Sequence, residues 1–260
     1  MKRTLLCGLL AAALLALPAQ AARTVPVHVN GTAIPGTSYL EGGVTYVPLR
    51  FLLDSLGGWT VSWDGRKQAA VAVSGSTQLT ASPSQDTIQI GGKTLRGSVT
   101  LENGRTYVPL RMVAEALGHE VEWDPYLSGA SITTADAAYD AEDLYWLSRI
   151  INAESGGEPM EGQIAVGNVV LNRVKNSQFP NTIPGVIFDR KHAVQFEPVE
   201  NGTVYRTPSS RSVEAAMRVL DGENTVGDAL YFYAPALSPG TWINANRVYH
   251  MTIGCHRFYL

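Results

Sequence analysis

The chain has 260 residues, a formal net charge of −3 and two cysteines. Its length allows two domains of ordinary size, the weak negative charge excludes a protein that binds nucleic acid through a basic surface, and two cysteines are too few for a disulfide-rich scaffold. Residues 1–22 have the pattern of a secretory signal peptide, with Lys2 and Arg3 ahead of a short apolar run and the triplet AQA at 19–21 as the cleavage site. We therefore expect the mature protein to be secreted and to have no membrane span.

Removal of the signal would leave Cys255 as the single cysteine, because Cys7 lies within the signal. One thiol cannot form an internal disulfide, and we expect Cys255 to be buried as a small apolar residue. Neighbouring residues on a strand face opposite sides, so Cys255 and His256 are not expected to work as a thiol nucleophile and its base. No closely spaced set of Cys and His indicates zinc, and we predict neither a metal nor a cofactor.

Residues 25–134 contain an internal repeat. The segment EGGVTYVPLRFLLDSLGG, from Glu41, matches ENGRTYVPLRMVAEALGH, from Glu102, and VHVNGTAI matches IQIGGKTL at the same offset. Each unit predicts a hairpin that turns at NG (30–31) or GG (91–92), followed by a strand, a short helix and a closing pair of strands. We predict that the two units pack together into one small α+β domain.

This repeat domain has two candidate roles, a spacer or a wall-binding module. Its aromatic side chains are of the type that stacks on sugars. Aromatic residues in short strands are more often part of a core, so we expect burial here and favour the spacer. The residues concerned are Tyr46, Trp59, Trp63, Tyr107 and Trp123.

A polar linker is predicted at 135–140, and a second domain at 141–260. Its first helix has Asp140 as a capping residue. Apolar residues then recur at helical spacing, and Glu154 takes the next position on the same face. Burial and the negative end of the helix dipole both raise the pKa of such a carboxyl, which suits a general acid. The alternative is an ordinary surface glutamate at a helix end.

The segment SGG at 155–157 is predicted to end this helix, with glycine in the left-handed conformation. Pro159 then begins a second helix, which is apolar on most sides and therefore predicted to be buried. Thr207 is predicted to cap a third helix. Towards the C-terminus we predict a strand, YFY at 231–233, and a hairpin around Gly254.

The segment INAESGGEPMEGQIAVGNVVLNRV resembles the signature of the cell-wall hydrolase family that includes the spore-cortex-lytic enzymes. The resemblance continues in FPNTIPGVIF, QFEPV, ALYFYAP and TIGCHRFY, and covers roughly residues 140 to 260. It implies a lysozyme-like fold, the glycan strands of peptidoglycan as substrate and partner, and Glu154 as the catalytic acid/base. The protein is then expected in the cell wall or the extracellular space.

The repeat units resemble the domain named after the N-terminal part of copper amine oxidases. Only His28 and His119 lie in this region, without a cysteine, so a copper site is not supported. The predicted fold class of the whole chain is α+β. A C-terminal, lysozyme-like, mainly helical domain with a small β-hairpin region follows a small α+β repeat domain.

The substrate cleft is expected to include residues of the matching distal motifs and of the loops beside them. Polar and aromatic side chains at these positions suit hydrogen bonding to, and stacking on, sugars. Glu197 is interpreted as a surface or loop-bracing acid, with a minority role as nucleophile. The candidate substrate-binding residues are Gln195, Phe196, Tyr231, Tyr233, Trp242 and Asn246.

Hydrolysing glycosidases usually need two carboxyl groups, whereas a lytic transglycosylase needs only one. We predict a lytic transglycosylase that cleaves the bond between N-acetylmuramic acid and N-acetylglucosamine and leaves 1,6-anhydro ends, with Glu154 as acid and base. A hydrolytic muramidase and a non-catalytic wall-binding protein are the alternatives. The sequence leaves open whether the substrate is the vegetative wall or the spore cortex.

Overall fold

The computed structural model describes residues 22–191 and 194–260. The predicted signal peptide therefore lies, except for its last residue, outside the described residues. The fold is mixed, with a β-rich N-terminal region followed by a mainly helical region. Within the described ranges, no helix has both the length and the apolar character needed to cross a membrane.

The N-terminal region consists of short strands and two short helices. The first repeat and the connection that follows it hold β1 (Arg23–Val25), β2 (Val27–Val29), β3 (Thr32–Ala33), β4 (Ser38–Glu41), β5 (Val44–Pro48), α1 (Leu49–Leu56), β6 (Thr60–Asp64), β7 (Ala69–Ser74) and β8 (Thr77–Ser82). The second repeat holds β9 (Thr87–Ile90), β10 (Lys93–Arg96), β11 (Thr100–Glu102), β12 (Arg105–Pro109), α2 (Leu110–Ala116), β13 (Glu120–Asp124) and β14 (Gly129–Thr133).

The two repeats meet along β5 and β12, which pair antiparallel with Val47 opposite Val108. These valines occupy equivalent positions in the two repeats. The pair therefore lies on a pseudo-two-fold axis that relates one repeat to the other. The axis passes through the sheet of strand order β1-β4-β5-β12-β11.

The repeats exchange their hairpins across this axis. The β2–β3 hairpin joins the β13–β14 pair of the second repeat, with β2 parallel to β14. The β9–β10 hairpin joins the β6–β7 pair of the first repeat through β8. The predicted turns are confirmed, since Asn30 and Gly31 both have positive φ, as a two-residue hairpin turn requires. One cluster of buried side chains runs through both repeats, so they share a single core.

The prediction that the aromatic residues of the repeats are buried is wrong for the two tryptophans of the closing strands. Trp63 is 42% exposed and Trp123 is 38% exposed, whereas Tyr107 is buried. Side chains alternate between the faces of a strand, so Trp63 shares a face with Val61 and Trp123 shares one with Val121, and both valines pack against the core. The two tryptophans are therefore partly exposed although they lie on the core-facing side of β6 and β13. A separate three-stranded sheet near the C-terminus has its strands in the order Tyr231–Tyr233, His256–Tyr259 and Tyr249–Ile253.

The helical region surrounds one buried helix. Its elements are α3 (Ala141–Ser155), α4 (Met160–Lys175), α5 (Ile183–Ile187), α6 (Glu197–Asn201), a 3-10 turn (Thr203–Tyr205), α7 (Ser210–Leu220), β15 (Tyr231–Tyr233), α8 (Thr241–Asn246), β16 (Tyr249–Ile253) and β17 (His256–Tyr259).

Helix α4 is buried along most of its length, as its apolar pattern predicts, and α3 and α7 pack against it. The predicted cap of α3 is confirmed, because Asp140 accepts a hydrogen bond from the backbone of Asp143 at 2.8 Å. The predicted cap of α7 is wrong. Ser209, not Thr207, accepts the capping bond, from the backbone of Ser212 at 3.1 Å. Ser209 is held there because its own N–H donates to Asn152 at 3.0 Å.

The β-rich and helical regions are in direct contact. The indole N–H of Trp146, which is fully buried in α3, donates to Asp124 at 2.8 Å. Beside it the ring of Tyr126 stacks on that of Phe188, with centroids 4.0 Å apart. Segment 135–140 therefore connects two regions that touch each other through a buried hydrogen bond and stacked aromatic rings.

Candidate active site

Glu154 lies in the last turn of α3, where the helix ends at the glycine pair. The expected left-handed glycine is absent, since Gly156 has φ −58° and neither Gly156 nor Gly157 has positive φ. Glycine is needed for a different reason at 156. A Cβ there would come within 2.6 Å of the carbonyl oxygen of Asn152. The tight approach lets the chain turn sharply into α4 immediately after Glu154.

A buried polar network fixes this turn. The side-chain amide of Gln163, in the first turns of α4, donates to the carbonyl of Glu158 at 3.1 Å. Its oxygen accepts from the Ser212 hydroxyl at 2.9 Å, and Ser212 also contacts the Asn152 side chain at 3.2 Å. Gln163 and Ser212 are both fully buried. Helices α3, α4 and α7 are thereby locked together next to Glu154.

Glu154 opens into a cleft between the end of α3 and helix α6. In the described part of the chain, no group donates a hydrogen bond or forms an ion pair with its carboxylate, so its oxygens face the cleft without a protein partner. The cleft has a volume of about 350 Å³. Its lining residues are Asn152, Ala153, Glu154, Glu197, Pro198, Asn201, Thr203, Arg206 and Leu237.

The surroundings of Glu154 favour its protonated form. Burial raises the pKa of the carboxyl to about 7, and the neighbouring negative charge of Glu197 pushes in the same direction. The positive charge of Arg173 acts the other way on the pKa and does not cancel these effects. A carboxyl that titrates near neutral pH gives up and takes back a proton readily.

Arg173 is a site residue that sequence reasoning missed. It projects from α4 and is 5% exposed, and burial lowers the pKa of its guanidinium to about 10. Its Nε donates to the carbonyl of Leu230 at 2.8 Å, and its charge lies 5.2 Å from the ring centre of Phe196 and 5.5 Å from that of Tyr231. The available signal was an arginine on a helix that the sequence predicts to be buried, since a buried arginine needs partners.

Two of the predicted substrate-binding residues, Gln195 and Phe196, lie next to Arg173. Gln195 is half-buried and its side-chain oxygen accepts from Arg173 at 3.4 Å. Phe196 is only 2% exposed and packs near Phe232. Phe196 is therefore a core residue beside the cleft, and its contact with substrate stays a prediction. It precedes α6 and anchors the helix that carries Glu197.

The aromatic residues of the distal motifs gather around Arg247. Its guanidinium lies 4.4 Å from the ring centre of Tyr231 and 5.0 Å from that of Trp242. Trp242 is 59% exposed, on the short helix α8 and not on the expected loop. Tyr233 is half-buried and accepts a hydrogen bond from Asn244, and Asn246 donates to the carbonyl of Trp242. These residues lie on the β15–α8 side, outside the lining of the Glu154 cleft.

The hairpin around Gly254 is confirmed, but the predicted burial of its cysteine is wrong. Cys255 is exposed at the turn, and its backbone N–H donates to Glu158 at 2.9 Å. His256 is buried on the opposite side, so the two do not face each other. Across residues 22–191 and 194–260, no three His, Cys, Asp or Glu side chains are arranged to hold a metal ion.

Comparison with known proteins identifies the helical region. Residues 157–259 match the Cell Wall Hydrolase family. The cell wall hydrolase CwlJ of Oceanobacillus iheyensis is 31% identical over 111 residues, which cover 40% of this chain and 77% of that protein. The chain belongs to the cell wall hydrolase family. Residues 28–132 match the Copper amine oxidase N-terminal domain family, so both resemblances drawn from the sequence are confirmed.

Longer relatives are matched over part of their length. The spore cortex-lytic enzyme of Bacillus cereus is 36% identical over 111 residues, which make up 43% of this chain and 42% of that enzyme. The chain thus spans about two fifths of the length of these relatives. A solved structure, the catalytic domain of the germination-specific lytic transglycosylase SleB of Bacillus anthracis, aligns with 48% of this chain and all of that chain, at 35% identity and a TM-score of 0.44.

Proposed function

We propose that this protein is a secreted lytic transglycosylase that cleaves peptidoglycan glycan strands, with Glu154 as both general acid and general base. The observation that carries the proposal is the state of Glu154: a half-buried carboxyl with pKa raised to about 7, facing a cleft without a protein partner among the described residues. Membership of the cell wall hydrolase family supports the substrate class. We propose a lysozyme-like fold for residues 141–260 and a wall or extracellular location.

The proposed reaction uses one carboxyl group twice. Protonated Glu154 donates its proton to the glycosidic oxygen between N-acetylmuramic acid and N-acetylglucosamine, and the bond from that oxygen to C1 of muramic acid breaks. The resulting carboxylate takes the proton of the muramic acid C6 hydroxyl, whose oxygen bonds to C1. Glu154 ends protonated, and the product carries a 1,6-anhydro ring. Because the attacking hydroxyl belongs to the substrate, its effective concentration is high.

We propose that the residues around Arg173 and Arg247, which share the ring of Tyr231, form one surface that holds the strand beside the scissile bond. Trp242, exposed beside Arg247, offers a face for stacking on a sugar ring. Gln195, held by Arg173, offers an amide to an acetamido or hydroxyl group. Tyr231, Tyr233 and Asn246 support this surface.

A hydrolytic muramidase is the second candidate, because Glu197 lines the same cleft as Glu154. Two carboxyl groups that flank a glycosidic bond are the usual requirement for hydrolysis. Glu197 is exposed at the start of α6, where a carboxylate is also favoured by the helix terminus. In this reading Glu197 would activate water or attack the sugar, and its substitution would abolish turnover.

The reaction products distinguish a lytic transglycosylase from a hydrolytic muramidase. Purified peptidoglycan is digested, and the fragments are analysed by mass spectrometry before and after borohydride reduction. We expect ends of 1,6-anhydro-muramic acid, which are one water lighter than hydrolysed ends and resist reduction. Reducible muramic acid ends would establish the muramidase. No release of fragments would overturn both and leave a non-catalytic wall-binding protein.

The role of Glu154 is tested by Glu154→Gln, which keeps the shape of the side chain and removes proton transfer. We expect turnover to fall by about 10²–10⁴-fold. Glu161→Gln, an exposed position in the first turn of α4 outside the cleft, is the matched control and should keep full activity. Near-normal turnover in Glu154→Gln would remove Glu154 from its proposed role.

A further inference from the structure

The N-terminal region carries two surface grooves that are related by its pseudo-two-fold axis. Each groove combines the helix and closing strands of one repeat with the β-turn of the other. Groove one contains Arg50 of α1, Trp63 of β6 and Arg105, which begins β12. Groove two contains the equivalent residues Arg111, Trp123 and Val44. Both tryptophans are partly exposed, and they were the repeat-domain residues whose predicted burial was wrong.

The two grooves differ in charge. Arg105 of groove one is replaced by Val44 in groove two, and Ser62 is replaced by Glu122. Groove one therefore has two cationic side chains and no acidic side chain in its lining. Groove two has one cation and one acid, and its cation Arg111 already pairs with Glu115 at 2.9 Å.

The cations of groove one are free to bind a ligand. Arg50 and Arg105 are both exposed, and among the described residues neither forms an ion pair with a carboxylate. Arg105 instead lies with its guanidinium 5.6 Å from the ring centre of Phe51, which holds it beside the groove. In groove two, Arg23 lies 5.6 Å from the ring centre of Trp123, so the cation next to that groove is already in contact with an aromatic ring.

We infer that groove one is a binding site for peptidoglycan, distinct from the Glu154 cleft. A sugar ring would stack on the exposed face of Trp63. The carboxylates of the stem peptides would pair with Arg50 and Arg105, since the guanidinium fork matches a carboxylate in two parallel hydrogen bonds. The choice of peptidoglycan among acidic carbohydrates rests on the proposed function. The requirement for a saccharide ring that carries a nearby anion rests on the groove alone.

The consequence of such a site is that one chain holds the wall at two places. A second contact on the same polymer raises the effective concentration of substrate at the cleft without changing the chemistry there. Groove two, with Glu122 in its lining and Arg111 already paired with Glu115, is assigned no ligand. Of the two related grooves, groove one is therefore assigned a ligand. Substitutions in groove two serve as controls for the binding experiment.

The test measures binding separately from cleavage. The full chain with Glu154→Gln is mixed with purified sacculi, and the bound fraction is measured by sedimentation over a range of sacculus concentrations. We expect Trp63→Ala to weaken binding about tenfold, consistent with loss of one stacking contact. Arg105→Val, which gives groove one the residue of groove two, should weaken binding similarly and more at low salt. Trp123→Ala, the matched control, should leave binding unchanged.

Thermal melting of each variant shows that it is folded, which is expected because both tryptophans are partly exposed. The inference is overturned if Trp63→Ala binds as tightly as its parent, or if Trp123→Ala loses as much affinity as Trp63→Ala. Sacculi stripped of attached anionic polymers with hydrofluoric acid should bind equally well. Loss of Trp63-dependent binding on stripped sacculi would assign the groove to those polymers instead. Trp63-dependent binding by a protein that releases no fragments would refute the proposed reaction and leave the groove intact.

Discussion

Glu154 lies between two charges that act on it in opposite directions. The negative charge of Glu197 raises the pKa of the Glu154 carboxyl, and the positive charge of Arg173 lowers it. Burial is the largest influence, it acts in the same direction as Glu197, and the pKa comes to about 7. The proposed acid is therefore tuned by residues from two other elements, α6 and α4, and each can be changed separately.

Glu197→Gln should lower the pKa of Glu154, because it removes a charge that disfavours ionisation. Turnover that needs protonated Glu154 falls as pH rises through this pKa, so the alkaline limb of the kcat/KM profile should move to lower pH. The profile is measured on solubilised glycan strands. Glu200→Gln, an exposed position on the same helix but outside the cleft lining, should leave the profile unchanged. A loss of a hundredfold or more at every pH would instead give Glu197 a chemical role.

The raised pKa also has a cost in stability, whose sign follows from proton linkage. A group whose folded-state pKa, about 7, exceeds its ordinary value of 4.5 binds protons more tightly when folded. The free energy of unfolding therefore falls as pH rises from about 4.5 to about 7. Glu154→Gln should match the wild-type melting temperature near pH 4.5 and exceed it at pH 8. Glu161→Gln serves as the exposed control, and an equal gain there would contradict the linkage.

At the scale of elements, the carboxylate of Glu158 attaches the C-terminal hairpin to the α3–α4 turn. Gly254, at the tip between β16 and β17, has φ +55° and lies against the carboxylate of Glu158. That carboxylate accepts the N–H of Cys255 at 2.9 Å. A side chain at 254 would occupy the position of the carboxylate, so only glycine permits the contact.

Gly254→Ala should therefore destabilise the protein more than the same change at a turn with open space. Gly91→Ala is the matched control, since Gly91 has φ +53° and an added Cβ there would meet nothing within 4 Å. We expect a loss of about 1–2 kcal/mol at Gly91, from left-handed strain alone, and a larger loss at Gly254. Denaturant unfolding measures both changes. Equal losses would show that the contact with Glu158 adjusts without cost.

The sequence predicted a helix cap correctly where the two residues that form it lie close together in the chain. The cap of α3 joins Asp140 to Asp143, three residues away, and the sequence predicted it correctly. The cap of α7 was assigned to Thr207, two residues early, because the choice between hydroxyls depends on Asn152 in another helix. The turn after Glu154 was predicted, whereas its conformation depends on the close approach of Gly156 to Asn152.

The candidate site was also predictable only where its residues are placed by the pattern of their own helix. The placement of Glu154 follows from the periodicity of its own helix, and in the structure it lies at the edge of a cleft. Arg173 contributes to the electrostatics of Glu154, yet its hydrogen-bond partner Leu230 lies 57 residues further along the chain. The exposure of Trp63 could not be read from its own strand, because Trp63 shares a face with the core-packed Val61. Its exposed groove is completed by residues of the second repeat.

At the scale of the whole molecule, Asp124 of the second repeat both caps a turn and accepts a hydrogen bond from the helical region. Asp64 and Asp124 occupy equivalent positions, and one oxygen of each caps the following turn, by bonds from Arg66 and Tyr126 respectively. The other oxygen of Asp124 accepts the indole N–H of Trp146, from the helical region. The repeat that adjoins the helical region is thus adapted to hold it.

Trp146→Phe tests this connection, because it keeps most of the aromatic bulk and removes the N–H. Asp124 is 1% exposed, so its oxygen would lose a partner without gaining water. We expect a loss of about 1–3 kcal/mol in the free energy of unfolding. Trp63→Phe, where the indole is 42% exposed and its N–H has no partner among the described residues, should cost less than about 0.5 kcal/mol. Indistinguishable losses would show that the hydrogen bond contributes nothing measurable.

The exchange of hairpins between the repeats has a consequence for the order in which the chain folds. Strand β2 pairs with β14, with Val27 opposite Ala130, so these partners lie roughly a hundred residues apart along the chain. The first hairpin to be synthesised therefore keeps an unpaired edge until nearly the whole β-rich region has emerged. Neither repeat can complete its core alone, and non-local pairing of this kind slows folding and exposes strand edges to aggregation.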